Sequence, residues 1–228
     1  NNVQPLRNRE AFKVLQFYFV NTRSDTCKLR IVQLMKQVFS KCPLNYVLLE
    51  DMQTFAIFFT NFSSLSQPTR QAICELFIHI VHDLGCIPLE ELTSFSDRLA
   101  RRPPLSLECI NDCLTVVEAL VTEKPLYLDL LRESKTLGAL LELCKNLLEK
   151  SAHEDGDEVC KVTCRAINVL RSALGSNKEN LDSVFTGCSN LFKRIATISS
   201  SACREAVLSL WVHYSVHDFE HAQSHLTN

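Results

Sequence analysis

Glycine and proline are scarce in this chain: five and seven among 228 residues. An all-β protein of that length needs a turn residue every several positions, so sandwich and barrel folds are excluded on supply alone. No stretch of about 18 uninterrupted apolar residues occurs, which removes a membrane-spanning helix. No charged leader followed by an apolar run opens the chain, whose first residues are Asn1-Asn2, and a cytosolic piece of something longer is expected. An excess of one charge is missing too, since 24 Lys and Arg stand against 26 Asp and Glu, a formal net charge of -2. No global field therefore draws the chain to nucleic acid or anionic lipid. Gly85, Gly138, Gly156, Gly175 and Gly187 are isolated, so no glycine-rich loop cradles a phosphate.

What is abundant is leucine, valine and isoleucine at helical spacing, and cysteine. Eleven cysteines look like a disulfide scaffold until their surroundings are read. Cys27, Cys74, Cys113, Cys144 and Cys164 sit among helical apolar positions and the total is odd, so they read as buried free thiols in a reducing compartment. Asn61-Phe62-Ser63 fits a glycosylation sequon, which is inert in the cytosol.

The stretch from Cys109 to Glu149 organises the chain. Ile110, Leu114, Val117, Leu120 and Val121 recur at helical spacing; Pro125 breaks the run; Leu126, Leu130, Leu131, Leu137, Leu140, Leu141 and Leu147 resume it. Two or three helices of this kind cannot close a core alone, so they must stack on copies of themselves. A first helix is predicted from about Pro5–Asn8 to Val20, sandwiched because Phe12, Leu15, Phe17, Phe19 and Val20 put apolar groups on more than one side. Ser24-Asp25 caps a second that ends at Pro43. A short helix over Asn45 to Glu50 and a deeply buried one over Met52 to Phe62 follow. Ser66, Gln67 and Pro68 open a helix stopped by Gly85. The next starts at Pro88, with Glu90 and Glu91 in its first turn and Arg101-Arg102 in its last. Beyond the central stretch, Val159 to Leu174 is a helix stopped by Gly175. Asn180 to Phe185 is short, Asn190 to Ile198 longer, and Ser199-Ser200-Ser201 caps a last helix from Ala202 to about Tyr214, with Trp211 as its inward-facing anchor.

Val38, Leu120 and Leu174 superimpose: ten residues on stand Leu48, Leu130 and Val184, and seven beyond those Phe55, Leu137 and Leu191. With a weaker copy near Ile80 and Leu92, the step is about 40 residues, the armadillo and HEAT period. The predicted fold is all-α, a single armadillo/HEAT-like α-solenoid domain over 1–228 with an exposed acidic loop at about 151–158.

Candidate chemistry is thin. A Ser, His, Asp constellation leaves no signal in a helical array, and no enzyme activity is expected. Cys109 with Cys113, and Cys160 with Cys164, share helix faces, but their apolar neighbours make them core thiols rather than zinc ligands. His79 and His82 after Cys74 are a weaker metal case. His213, His217, His221 and His225 recur every four residues and would form a metal-chelating ladder on a continuing helix. Solvated histidines on a fraying end are the preferred reading, so no metal and no cofactor is expected. Arg98, Arg101 and Arg102 read as a helix C-terminus, without the interleaved aromatics that stack nucleic-acid bases.

Asn45-Tyr46-Val47-Leu48-Leu49-Glu50, followed about forty residues on by Ile87-Pro88-Leu89-Glu90-Glu91-Leu92, resembles the amino-terminal armadillo-like region of the large BEACH proteins that carry WD repeats and a FYVE domain, the Alfy group. The order of apolar and polar positions from about Arg30 to Glu149 looks similar too; beyond Ser151 the resemblance fades. It implies a segment of a cytoplasmic scaffold in selective autophagy and endosomal or phagosomal traffic, with a myeloid branch tied to handling engulfed antigen. Protein partners would bind the concave solenoid face, and membrane association would lie with other domains of the parent. The alternative is a formin-type armadillo regulatory domain that binds a small GTPase or an autoinhibitory helix.

Overall fold

Caps and breakers fix the helix ends. Ser24 Oγ accepts from the Cys27 amide at 3.3 Å, Asn177 Oδ1 from the Asn180 amide at 3.2 Å, and Ser200 Oγ from the Cys203 amide at 3.3 Å. Each satisfies an amide that the first helical turn leaves unpaired. Gly175 ends its helix with φ +53°, and a Cβ there would stand 3.0 Å from Leu128 Cδ1, so both conformation and space call for glycine.

The computed structural model describes residues 9–49, 52, 54–100, 105–123, 125–153 and 156–217. Among these the secondary structure is helix without strand. The helices are α1 (Glu10–Asn21), α2 (Asp25–Lys41), α3 (Leu44–Leu49), α4 (Thr54–Asn61), α5 (Gln67–His82), α6 (Leu89–Ala100), α7 (Leu107–Glu123), α8 (Pro125–Glu133), α9 (Thr136–His153), α10 (Asp157–Leu174), α11 (Lys178–Lys193) and α12 (Ser201–His217). None is long and apolar enough to cross a membrane. The chain divides into two units, Asn1–Arg98 and Leu99–Asn228.

In the first unit α2 packs on α5, and α1 on α2 and α4. Phe55 and Phe59 both lie against Phe77, and Phe59 also against Phe62 and Phe95. All five rings are buried, as the near absence of polar residues in α4 requires. In the second unit α10 is the hub, packed on α7, α9 and α12. It buries Val159, Val162, Ala166, Ile167, Leu170 and Leu174.

Five expectations need correction. α1 is not sandwiched: Phe12, Gln16 and Phe19 face inward, while Val14, Phe17, Tyr18 and Val20 are exposed. Two faces were apolar in sequence and the described residues cover one. The described residues of the acidic stretch 151–158 are helical apart from Gly156, because α9 runs through His153 with Ser151 buried and α10 starts at Asp157. Asn180–Phe185 and Asn190–Ile198 are not separate helices; α11 is continuous to Lys193 and a 3-10 turn, Ile195–Thr197, follows. Gly187 does not break it, since a Cβ there would collide with Leu141 of α9; the glycine permits close helix packing instead.

The helix order does not reproduce the expected three-copy pattern. Long, short and third helix recur in α2, α3, α4 and in α7, α8, α9, whereas α10 is followed by one helix. Finally, Trp211 is only half-buried, and Tyr214 is the ring that α12 turns inward, with Cys203, Ala206, Val207 and Leu210. These five positions share a helical face, and Trp211 lies off it.

Candidate functional site

Polar side chains tie successive long helices together along their outward ridges. Ser40 and Lys36 of α2 meet His79 and Glu75 of α5: Ser40 Oγ to His79 Nε2 is 2.9 Å and Lys36 Nζ to Glu75 Oε2 is 3.4 Å. His79 Nδ1 is 2.5 Å from Asp83 Oδ2. Gln33, Lys36, Gln37, Ser40, Lys41 and Glu75 line an open groove of about 710 Å³ beside this pair.

Sequence reasoning passed over this juxtaposition of serine, imidazole and carboxylate. Its bonding is that of a clamp. Ser40 Oγ donates to the Lys36 carbonyl at 2.7 Å, so its proton is spent on the backbone rather than offered to the imidazole. Ser40 also lies inside α2, where amides are engaged in i to i−4 bonds and none is left to stabilise an oxyanion.

The corresponding ridge of the second unit carries Arg165 on α10. Its Nε and Nη2 grip Glu118 of α7 at 3.0 and 2.7 Å. Nη1 reaches the Asn111 carbonyl and Oδ1 at 3.1 and 3.0 Å, and Nη2 also donates to Thr115 Oγ1 at 2.9 Å. All the guanidinium donors are thereby used, a geometry lysine cannot reproduce. Arg171 of α10 likewise meets Ser209 of α12.

Two buried asparagines mark equivalent corners. Asn45 Nδ2 donates to the Val38 carbonyl at 3.0 Å and Asn180 Nδ2 to the Ala173 carbonyl at 3.2 Å, each seven residues back. Each thus closes the end of one helix from the start of the next. Asn180 also receives Arg132 Nη1 on its Oδ1 at 2.9 Å. The sequence signal was available: an asparagine within the first three residues of a helix that follows a break.

Several hydrogen bonds join described residues one long helix pair apart in the chain, from 33 residues for Tyr214 to Leu181 up to 54 for Arg165 to Asn111. Lys36–Glu75 and Ser40–His79 span 39, Arg171–Ser209 spans 38, and Arg165–Glu118 spans 47.

Of the histidine ladder, His221 and His225 lie outside the described residues. His213 and His217 do share a face, with ring centroids 4.7 Å apart. However, His213 Nε2 donates to the Gly175 carbonyl at 2.8 Å, which ties the ring to the end of α10. Burial, more than any other influence, lowers its pKa. Arg98 meets Ser63, while Arg101 and Arg102 lie outside the described residues. Cys109 and Cys113 are buried; Cys160 and Cys164 are half-buried. Cys164 Sγ is 3.9 Å from the buried Cys203 Sγ, and burial pushes the Cys203 thiol up to about 12. The eleven cysteines are free. Among the described residues no group of three or more His, Cys, Asp or Glu side chains is placed to hold a metal.

No family model matches the chain, and no solved structure matches it. Protein SPIRRIG of Arabidopsis thaliana is 22% identical over 177 residues, which cover 78% of this chain and 5% of that protein. The chain therefore spans a small fraction of the relative it resembles.

Proposed function

We propose that this chain is a non-catalytic protein-interaction segment built as an armadillo/HEAT-like stack, within a large cytoplasmic BEACH-type scaffold. The observation that carries the reading is the recurrence of polar links at separations of about 40 residues, 39 for Ser40–His79 and 38 for Arg171–Ser209. In an array each layer touches only its neighbours, so contacts recur near one repeat length, whereas a closed bundle also joins elements far apart in the chain. The clamp-like bonding of Ser40 and the absence of a free oxyanion donor beside it support a binding rather than a catalytic role. SPIRRIG is a BEACH-domain protein, and the match to it supports the resemblance found in the motifs around Asn45 and Ile87. On that reading the parent acts in autophagy and in endosomal or phagosomal traffic, and this segment selects protein partners on the ridge where α2 meets α5.

Deleting the segment from the parent while keeping its membrane-directed domains tests the proposal. Membrane recruitment should persist and a defined set of proximity-labelled partners should be lost; an unchanged partner set would overturn it. Nucleotide-dependent binding of a Rho-type GTPase by the isolated chain would favour the formin-type alternative.

A further inference from the structure

Two helices of the second unit meet through sulfur. Cys164 of α10 and Cys203 of α12 face each other with their Sγ atoms 3.9 Å apart. The Cys203 sulfur also stands 3.9 Å from the carbonyl of Cys160, one turn earlier on α10. Cys203 is fully buried and Cys164 half-buried, so one sulfur of the pair is open to a small solute and the other is not. The two positions are 39 residues apart in the chain, and they lie in the packed seam between α10 and α12 that Arg171 and Ser209 also bridge.

A disulfide is about 2.05 Å long, so the sulfurs need to close by about 2 Å, a distance that rotation about Cα–Cβ can supply. The two thiols are not equivalent. Burial raises the Cys164 pKa, the hydrogen bond with Cys203 works against that rise, and Cys160 and Glu205 add to it. Burial pushes Cys203 up to about 12, with Ser200 opposing and Cys164 and Cys160 adding to it. Cys164 is therefore the sulfur that ionises first and meets solvent, and Cys203 is the protonated partner held behind it.

We propose that Cys164 and Cys203 form an oxidative modification site, at which a hydroperoxide converts the pair to a disulfide that fastens α12 to α10. The Cys164 thiolate attacks one oxygen of hydrogen peroxide; the O–O bond breaks, hydroxide leaves and takes up the proton that Cys164 released, and a sulfenic acid remains. The Cys203 sulfur then attacks the Cys164 sulfur, the S–O bond breaks, and the Cys203 proton departs with hydroxide as a second water. Two thiols are oxidised by two electrons and one peroxide is reduced to two waters. With burial holding both thiols up, thiolate is scarce at neutral pH, so the pair reacts slowly and the bond forms under sustained exposure. A dithiol reductant attacking the half-buried Cys164 reopens it. The site depends on the α10–α12 seam alone, whatever partners the parent binds.

Trypsin separates the competing pairings, because Lys161 and Arg165 bracket Cys164: Cys160 falls in Ser151–Lys161, Cys164 in Val162–Arg165 and Cys203 in Ile195–Arg204. The parent protein is held in hydrogen peroxide under native conditions, denatured in N-ethylmaleimide and digested. Mass spectrometry should find Val162–Arg165 joined to Ile195–Arg204, and dithiothreitol before alkylation should release the two. Cys160→Ser should keep the link, and Cys203→Ser should leave a Cys164 sulfenic acid that dimedone captures. In the linked protein α12 amides should exchange about tenfold more slowly than in the reduced one. Recovery of both peptides unlinked and alkylated overturns the proposal. So does a link from Cys164 to Cys160 in its place, and so does unchanged or faster exchange in α12, which would show that nothing is fastened. The unsubstituted protein decides the pairing by itself, so a variant that fails to fold leaves that result standing.

Discussion

Rings hold the first unit together, while the second relies on aliphatic side chains and polar clamps. Among the described side chains, Phe12, Phe19, Phe39, Tyr46, Phe55, Phe58, Phe59, Phe62, Phe77 and Phe95 are buried in the first unit, against Tyr127 and Tyr214 in the second. Large rings fill space between short helices such as α3 and α4, which offer few side chains each. The long helices α7, α9, α10 and α11 bury leucine, valine and alanine in quantity and approach closely where Gly187 leaves room. Two solutions to the same packing problem follow from helix length, and they fail in different ways.

Removing one ring should hurt most. Phe59 touches Phe55, Phe62, Phe77 and Phe95, so Phe59→Ala leaves a cavity in the centre of the cluster. The expected cost is about 3 to 5 kcal/mol in denaturant unfolding; a loss below about 1 kcal/mol would mean that the cluster collapses around the gap. In the second unit the matching lesion is added volume. Gly187→Val should cost about 1 to 3 kcal/mol by overpacking against Leu141, and Leu141→Ala should relieve part of it in a double-mutant cycle.

Polar clamps contribute less. Arg165→Lys keeps the charge and loses the fork on Glu118 and the bonds to Asn111, with an expected loss of about 1 kcal/mol at this half-exposed site. An equal loss in 1 M salt would show that geometry rather than charge is responsible.

The smallest effect is a pH dependence confined to the second unit. Burial holds the His213 pKa below its ordinary 6.5; His217 and Arg171 push the same way, and the Gly175 carbonyl opposes them. The unfolded chain therefore binds more protons near pH 6.5 than the folded one. This contribution is complete above that pH and is lost as pH falls toward the depressed folded value. Thermal melts between pH 7.5 and 5.5 should show it, and His213→Gln, which can still donate to Gly175, should flatten the profile.

Much of the helical architecture could be read from residue order. Ser24, Pro43, Gly85 and Gly175 acted locally and placed their breaks within a few residues. What was not legible depended on which apolar face finds a neighbour. α1 and α12 each offer two such faces, and neither Phe17 nor Trp211 carries a mark distinguishing covered from open. Asn190 and the polar run before it resembled a break, yet tertiary contact with Leu141 keeps α11 continuous through Gly187. The candidate site was less legible still. Ser40, His79 and Arg165 look like ordinary surface residues until a neighbour about 40 positions away is brought alongside.

Neighbour-only coupling is the central claim, and hydrogen exchange on Tyr214→Ala tests it most directly. Tyr214 is buried, donates to the Leu181 carbonyl at 3.2 Å and packs on Phe192. Stacked layers predict faster exchange in α12, then in α11 and α10, with α2, α4 and α5 protected as in the unmodified chain. Uniform loss of protection from residue 10 to residue 217 would contradict the array and point to one cooperative core.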